Sequence, residues 1–262
     1  MPALLRPDHQ DSDRLERSRR IGWIDTDAVV GARCLVIGAG ALGNEVVKNL
    51  VLSGVMNLTL VDMDAVVLSN LNRCVFFRAE DALEKRDKAP IVARRAADLN
   101  DAAKIDFVVG KVQDLPTQRF KEHDLVFGCL DNVAARLHAN SHSYFHGVPY
   151  IDGATLGTSG KVQTVIPPST PCLQCAMNRT HYRLMEKRFS CTGNDVTFFE
   201  PKMAAEITTT SIVAAVQVRE GLKILSGEME RCIKHVWYYD GLANRSEILE
   251  VDVDPECSVH AK

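Results

Sequence analysis

From residue 34 onward, short apolar runs alternate with segments whose apolar residues recur at helical spacing. CLVIGAG (34–40), NLTLVDMD (57–64), KIDFVVG (104–110) and HDLVFGCLD (123–131) are strand-length and bounded by Gly, Asp or Asn. LGNEVVKNLVLSG (42–54) has the helical period and ends at a glycine stop, and KAPIVARRAADLN (88–100) and NVAARLHANSHSYFHG (132–147) read the same way. VPYIDGATLG (148–157) and SGKVQTVIP (159–167) predict two more strands. TTTSIVAAVQVREGLKILSG (208–227) predicts a long helix and HVWYYDGLANRSEILEV (235–251) a hairpin. Strands alternating with helices predict an α/β fold, a doubly wound, Rossmann-like, mostly parallel sheet with antiparallel strands toward the C-terminus. Residues 1–30 read as a polar N-terminal arm and 31–262 as one domain with a C-terminal elaboration.

Composition narrows the function classes. The chain has 262 residues, 46% hydrophobic and 25% charged, with a formal net charge of −3. No basic field points to nucleic acid, and no apolar run is long enough to span a bilayer. The charged N-terminus is unlike a signal peptide, so a soluble, cytoplasmic protein is expected. Eight cysteines in such a protein suggest metal binding or reactivity rather than a disulfide scaffold.

Gly38-Ala39-Gly40-Ala41-Leu42-Gly43 stands between a predicted strand and a predicted helix. Glycines permit a tight turn and close backbone approach, and the helix N-terminus offers N–H groups to an anion. Asp62 ends the next strand, where a carboxylate can bind ribose hydroxyls. NAD is the default ligand of this pattern, and a ligand-free tight turn is the plainer reading. The residues after Asp62 move the expectation. DMDAVVLSNLNR offers Asp64, Ser69, Asn70, Asn72 and Arg73, and Lys88 follows at a helix start. Two cations there suit a triphosphate better than a dinucleotide pyrophosphate. Asp131 closes the strand LVFGCLD at the sheet edge where ligands bind. It is a candidate for Mg²⁺, and capping of the helix that begins near Asn132 is its alternative role.

Together, GAGALG, VDMDAVVLSNLNR, DKAPIVA and CLDNVAAR resemble the adenylation domain of ubiquitin-activating enzymes. They are also similar to the bacterial ThiF/MoeB/HesA activators of sulfur-carrier proteins. The resemblance covers roughly residues 14 to 260, and SNLNR and CLDN are its specific blocks. It implies an ATP site in which Asp62 binds the ribose, Ser69 to Arg73 cradle the phosphates, and Lys88 and Asp131 complete the machinery. Gly38, Gly40, Ala41, Asp64, Asn70, Asn72 and Asn132 line that site. The implied reaction is ATP- and Mg²⁺-dependent adenylation of the C-terminal glycine carboxylate of a small ubiquitin-like protein. A sulfur carrier, a different carboxylate, or a non-catalytic partner half of a heterodimer are the alternatives; nothing resembles a hydride-transfer site. The resemblance further implies a homodimer, with an N-terminal arginine reaching the partner's ATP site. Arg14 is the first choice by position, ahead of Arg17, Arg19 and Arg20. A downstream conjugating protein is a possible further partner. Ala41 stands where the family usually has a fourth glycine, and Cys74 where it has glutamine.

The cysteines divide into two groups. Cys172 and Cys175 form a C-x-x-C pair, and Cys257 and His260 repeat the spacing near the C-terminus. Two such pairs predict a closed, structural Zn²⁺ site of three thiolates and one imidazole. The resembling family has a second C-x-x-C pair at that place, so His260 changes only the ligand type. Cys191 stands apart, in a segment with Lys187 and Arg188 that would favour thiolate. By resemblance, a cysteine before the long helix can take the activated carboxylate as a thioester. Cys34 and Cys129, in strand runs, are expected in the core.

Overall fold

The computed structural model describes residues 13–177 and 204–260. Its strands are β1 (Arg33–Ile37), β2 (Asn57–Asp62), β3 (Lys104–Val109), β4 (Leu125–Gly128), β5 (Tyr150–Leu156), β6 (Ser159–Val165), β7 (Val236–Asp240) and β8 (Arg245–Leu249). Its α-helices are α1 (Glu16–Arg19), α2 (Thr26–Gly31), α3 (Ala41–Leu52), α4 (Ala79–Leu83), α5 (Lys88–Ala97), α6 (Gln118–Lys121), α7 (Val133–Phe145) and α8 (Ile207–Leu225). The strands form one sheet in the order β3-β2-β1-β4-β5-β6-β7-β8. β1 to β5 pair in parallel and β5 to β8 antiparallel.

The central strands are apolar on both faces because both faces are covered. Cys34 and Val36 of β1, with Leu58, Leu60, Phe127, Ile151 and Val162, pack against Val46 and Leu50 of α3, Val92 and Ala96 of α5, and Val213 and Val218 of α8. Leu35 and Ile37, with Val61, Val126, Tyr150 and Val165, face the other way, onto Phe120 of α6 and Ala135 and Ala139 of α7. Each buried Val, Leu, Ile or Phe among them contributes roughly 1.5–3 kcal/mol. The resulting three layers are those expected of a doubly wound sheet.

Short helices such as α2 and α4 are absent from the sequence expectation. α2 is capped by Asp25, whose carboxylate accepts from the N–H groups of Asp27 (3.1 Å) and Ala28 (3.0 Å). α4 follows the loop that carries Arg73. At six and five residues, neither spans enough turns for its apolar period to stand out. Beyond α8, β7 and β8 extend the same sheet from β6.

Candidate functional site

The chain leaves β1 to the left, toward β2 and β3, and returns to β4 and β5 on the right. Between β1 and β4 the strand order therefore reverses, which opens a crevice at their C-terminal ends. Ile37 and Gly128 lie side by side in register there. The Cys129 N–H donates to the Ile37 carbonyl at 2.8 Å. The glycine loop and the segment that carries Asp131 thus leave the sheet next to one another.

Each glycine of the loop has its own reason. Gly38 has φ +104°, and a Cβ there would meet the Cys129 carbonyl oxygen at 2.4 Å. At Gly43 a Cβ would lie 1.8 Å from the Gly38 carbonyl oxygen, so helix α3 sits directly on the turn. Gly40 differs: a Cβ there would meet nothing within 4 Å. Its backbone faces open space at the N-terminus of a twelve-residue helix, the place for an anion. Ala41, the first residue of α3, is half-buried there.

Asp62 ends β2 beside this turn. Its Oδ2 accepts from the Ala39 N–H at 2.6 Å and its Oδ1 from the Asp64 N–H at 2.7 Å. Burial pushes its carboxyl above the usual range, against the opposing pull of the Lys88 charge and these two N–H bonds. The exposed Asp64 pairs with Lys88 Nζ at 2.7 Å. Lys88 itself is 8% exposed at the start of α5, and its N–H donates to the Asp64 carbonyl at 2.9 Å.

The loop after Asp62 divides its labour. The buried Asn70 accepts from the Val67 N–H through Oδ1 at 3.1 Å and so closes its own turn. Asn72 Oδ1 accepts from the Arg73 guanidinium at 3.0 Å, and the Ser69 carbonyl is a second acceptor. Arg73 is thereby held over its own loop. Cys74 is buried in the core with Phe76 and Phe77, and burial pushes its thiol up to about 11. Across the crevice, Asn132 caps α7 by accepting from the Ala135 N–H at 2.8 Å. The capping role weighed for Asp131 falls to its neighbour, and β4 stops at Gly128, short of the strand expected to reach Asp131, which is exposed three residues beyond it.

Other expected residues lie apart from the crevice. Arg14 donates to the Leu99 carbonyl at 3.0 Å, beyond the C-terminal end of α5 and away from Lys88 at its start. Arg19 pairs with Asp13 and Arg20 with Glu16. Arg17 is exposed, with no ion pair among the described residues. Cys191, with Lys187 and Arg188, lies outside the described residues.

At the other end of α7, Cys172, Cys175, Cys257 and His260 converge, with ligand atoms all within 4.8 Å of one another. Cys172 Sγ is 3.8 Å from Cys175 Sγ and 3.6 Å from Cys257 Sγ. His260 Nδ1 lies 3.1 Å from the Tyr144 hydroxyl, while its Nε2 is buried without a hydrogen-bond partner. Three thiols and one orphaned imidazole nitrogen fit tetrahedral zinc, with Tyr144 as the outer partner that orients the ring. Burial pushes the Cys172 thiol up to about 12, a penalty that metal ligation would remove.

Two buried polar groups escape a reading of sequence. Asn44 is fully buried in α3. Its one-dimensional signal is weak, because α3 also carries Glu45, Lys48 and a second amide, Asn49. Asp81 is also fully buried and pairs with Arg95 and with Arg86, the latter at 3.1 Å. Locally it accepts from the Arg78 N–H at the start of α4 (2.7 Å), but nothing nearby marks its pairing with the distant Arg95.

Comparison with known proteins agrees with this arrangement. The chain is 35% identical over 152 residues to "Ubiquitin-activating enzyme E1-like" of Saccharomyces cerevisiae, across 57% of this chain and 23% of that protein. It is 30% identical over 233 residues to "Sulfur carrier protein ThiS adenylyltransferase" of Bacillus subtilis, across 86% of this chain and 65% of that protein. It thus spans under two thirds of either relative. Among solved structures, E. coli MccB crystallised with succinimide superposes with a TM-score of 0.79 at 18% identity, covering 97% of this chain and 75% of that one. This last likeness is one of fold. The model of the ThiF family matches residues 14–259, and with the crevice and the paired cysteines inside that span, the chain belongs to the ThiF family.

Proposed function

We propose that this protein adenylates the C-terminal glycine carboxylate of a small ubiquitin-like protein at the β1–β4 crevice, using ATP. One observation carries the reading. The open turn at Gly40, Asp62 at the end of β2, Asp131 just beyond β4, and Arg73 and Lys88 all belong to segments that leave the sheet at one edge. Asp62 would hold the ribose, and the N-terminus of α3 the phosphates. A carboxylate oxygen of the carrier attacks the α-phosphorus as the bond to the bridging oxygen of the β-phosphate breaks. An acyl-adenylate forms and pyrophosphate leaves. The chain's part is to position the two anions and neutralise the charge that gathers on pyrophosphate, the work of Arg73 and Lys88.

Asp131 would hold Mg²⁺, since it offers an exposed oxygen ligand beside the phosphates and Asn132 frees it from capping. The ion, when bound, supplies further neutralisation of the triphosphate. Cys172, Cys175, Cys257 and His260 would hold zinc as a structural clamp on the C-terminal segment. A homodimer, with an arm arginine entering the partner's site, completes the reading.

A sulfur carrier is the second reading of the substrate. It is favoured by the Bacillus subtilis relative, whose similarity runs over 86% of this chain. ATP–pyrophosphate exchange with candidate carriers tests both. Exchange that requires a carrier with a free C-terminal glycine supports adenylation, and the carrier that supports it decides between the two. Absence of exchange with every such carrier would overturn the function.

A further inference from the structure

We infer that Asn44 is a positioning residue that clamps the arginine-bearing loop to the glycine loop, so that Arg73 and the backbone amides at Gly40 face a single triphosphate. The inference deepens the adenylation reading and rests on it. Asn44 is completely buried in α3, where an amide is costly unless its hydrogen bonds are made. Its Nδ2 donates to the carbonyls of Ala39 (2.8 Å) and Gly40 (3.0 Å). Its Oδ1 accepts from the N–H of Phe76 at 3.0 Å. The orientation is unambiguous, because a carbonyl can only accept and the Phe76 N–H can only donate. One side chain therefore bridges two backbone segments that the sequence separates by more than thirty residues.

The bridge has firm anchors at both ends. On one side, the Ala39 N–H donates to Asp62, the expected ribose ligand. On the other, the Phe76 carbonyl accepts from Arg95, which pairs with the buried Asp81. Phe76 follows Arg73 by three residues, and the side chains of Cys74, Phe76 and Phe77 lie in the core. Asn44 itself points at backbone, not at the crevice. Its effect on a nucleotide must pass through the two segments it holds, the Arg73 loop and the glycine turn.

The test measures affinities for ATP and AMP, with Mg²⁺, in the wild type, Asn44→Ala, Arg73→Ala and the double variant. AMP lacks the two outer phosphates, so the ATP-to-AMP ratio reads the contacts to them, that of Arg73 included. In Asn44→Ala the ratio should fall about tenfold, the scale of one lost buried hydrogen-bond partner. In the Arg73→Ala background the same change should lower the ratio by clearly less. Equal losses for ATP and AMP, or full additivity with Arg73→Ala, would reduce Asn44 to a residue of the core and overturn the proposal. Asn44→Ser guards against a variant that does not fold. Its hydroxyl can bond back to the Gly40 carbonyl but cannot reach Phe76, so it should reproduce the fall in the ratio. Hydrogen exchange on the wild type adds a readout free of substitution: the Phe76 amide should be protected, and exchange at the rate of an exposed loop overturns the clamp. A wild type that does not prefer ATP to AMP defeats the adenylation reading itself. A wild-type preference that survives in Asn44→Ser defeats only the role of Asn44.

Discussion

Asp62 ends β2 and Asp131 lies three residues beyond the end of β4, and their surroundings divide their chemistry. Asp62 has both oxygens engaged by backbone N–H groups and is half-buried. Asp131 is exposed, with the helix cap supplied by Asn132. Asp131→Ala should therefore leave the fold unchanged while slowing ATP–pyrophosphate exchange by about 10²–10³, the cost of one lost charge-stabilising contact. Exchange at the wild-type rate would remove Asp131 from the machinery. Asp81 is an aspartate of a third kind. Burial pushes its carboxyl up, but hydrogen bonds from Arg95 and from the Arg78 N–H, with the Arg95 charge, outweigh burial and hold it below the usual range. Its contribution to stability is present above the ordinary carboxylate pKa and is lost as pH falls through the lowered one. Asp81→Asn should cost about 3 kcal/mol at pH 7 in urea unfolding, because Arg95 and Arg86 lose their buried partner. That difference should shrink below about pH 4. A gap that stays constant into acid would assign the loss to shape instead of charge.

At the scale of elements, α7 connects the two functional ends of the molecule. Its N-terminus stands at the crevice beside Asp131, and Tyr144, near its C-terminus, touches His260 of the cysteine cluster. The segment after β6 brings Cys172 and Cys175, and the segment after β8 brings Cys257 and His260. Elemental analysis of the purified protein should find about one zinc per chain, and removal with a strong chelator should lower the melting temperature. His260→Cys should keep the metal, since thiolate and imidazole both suit a tetrahedral site. Metal-free protein of unchanged stability would exclude a zinc clamp.

At the scale of the whole molecule, one sheet serves two halves. Its parallel half ends in the crevice, and its antiparallel half runs out through β6, β7 and β8. The segment with Cys191 joins the cysteine pair to α8 and lies outside the described residues. If Cys191 accepts the carrier, its thiol gives up a proton, the thiolate attacks the acyl carbon of the adenylate, and AMP leaves. Cys191→Ala should then keep pyrophosphate exchange and lose any reductant-sensitive adduct with the carrier on a non-reducing gel. An adduct that persists in the variant points to another thiol. A wild type that never forms one makes the adenylate the product, for transfer on a second protein.

What the chain determines by itself is what local chemistry can carry. The glycine turn, the acids at and just beyond strand ends and the C-x-x-C spacing are legible because each is imposed within a few residues, by a steric limit, a chain direction or a ligand geometry. The long helices and the buried strands are legible because their apolar periods run for several turns or fill a whole strand. Tertiary structure alone decided the rest. It moved the capping duty from Asp131 to Asn132, a shift of one residue that propensity does not resolve. It joined Asn44 to Phe76 across thirty-two residues, and it buried Asp81 between Arg86 and Arg95. The contacts of Asn44 with Phe76 and of Asp81 with Arg95 form between segments that meet only once the chain has folded. Their energies depend on distances and burial that no one-dimensional pattern encodes.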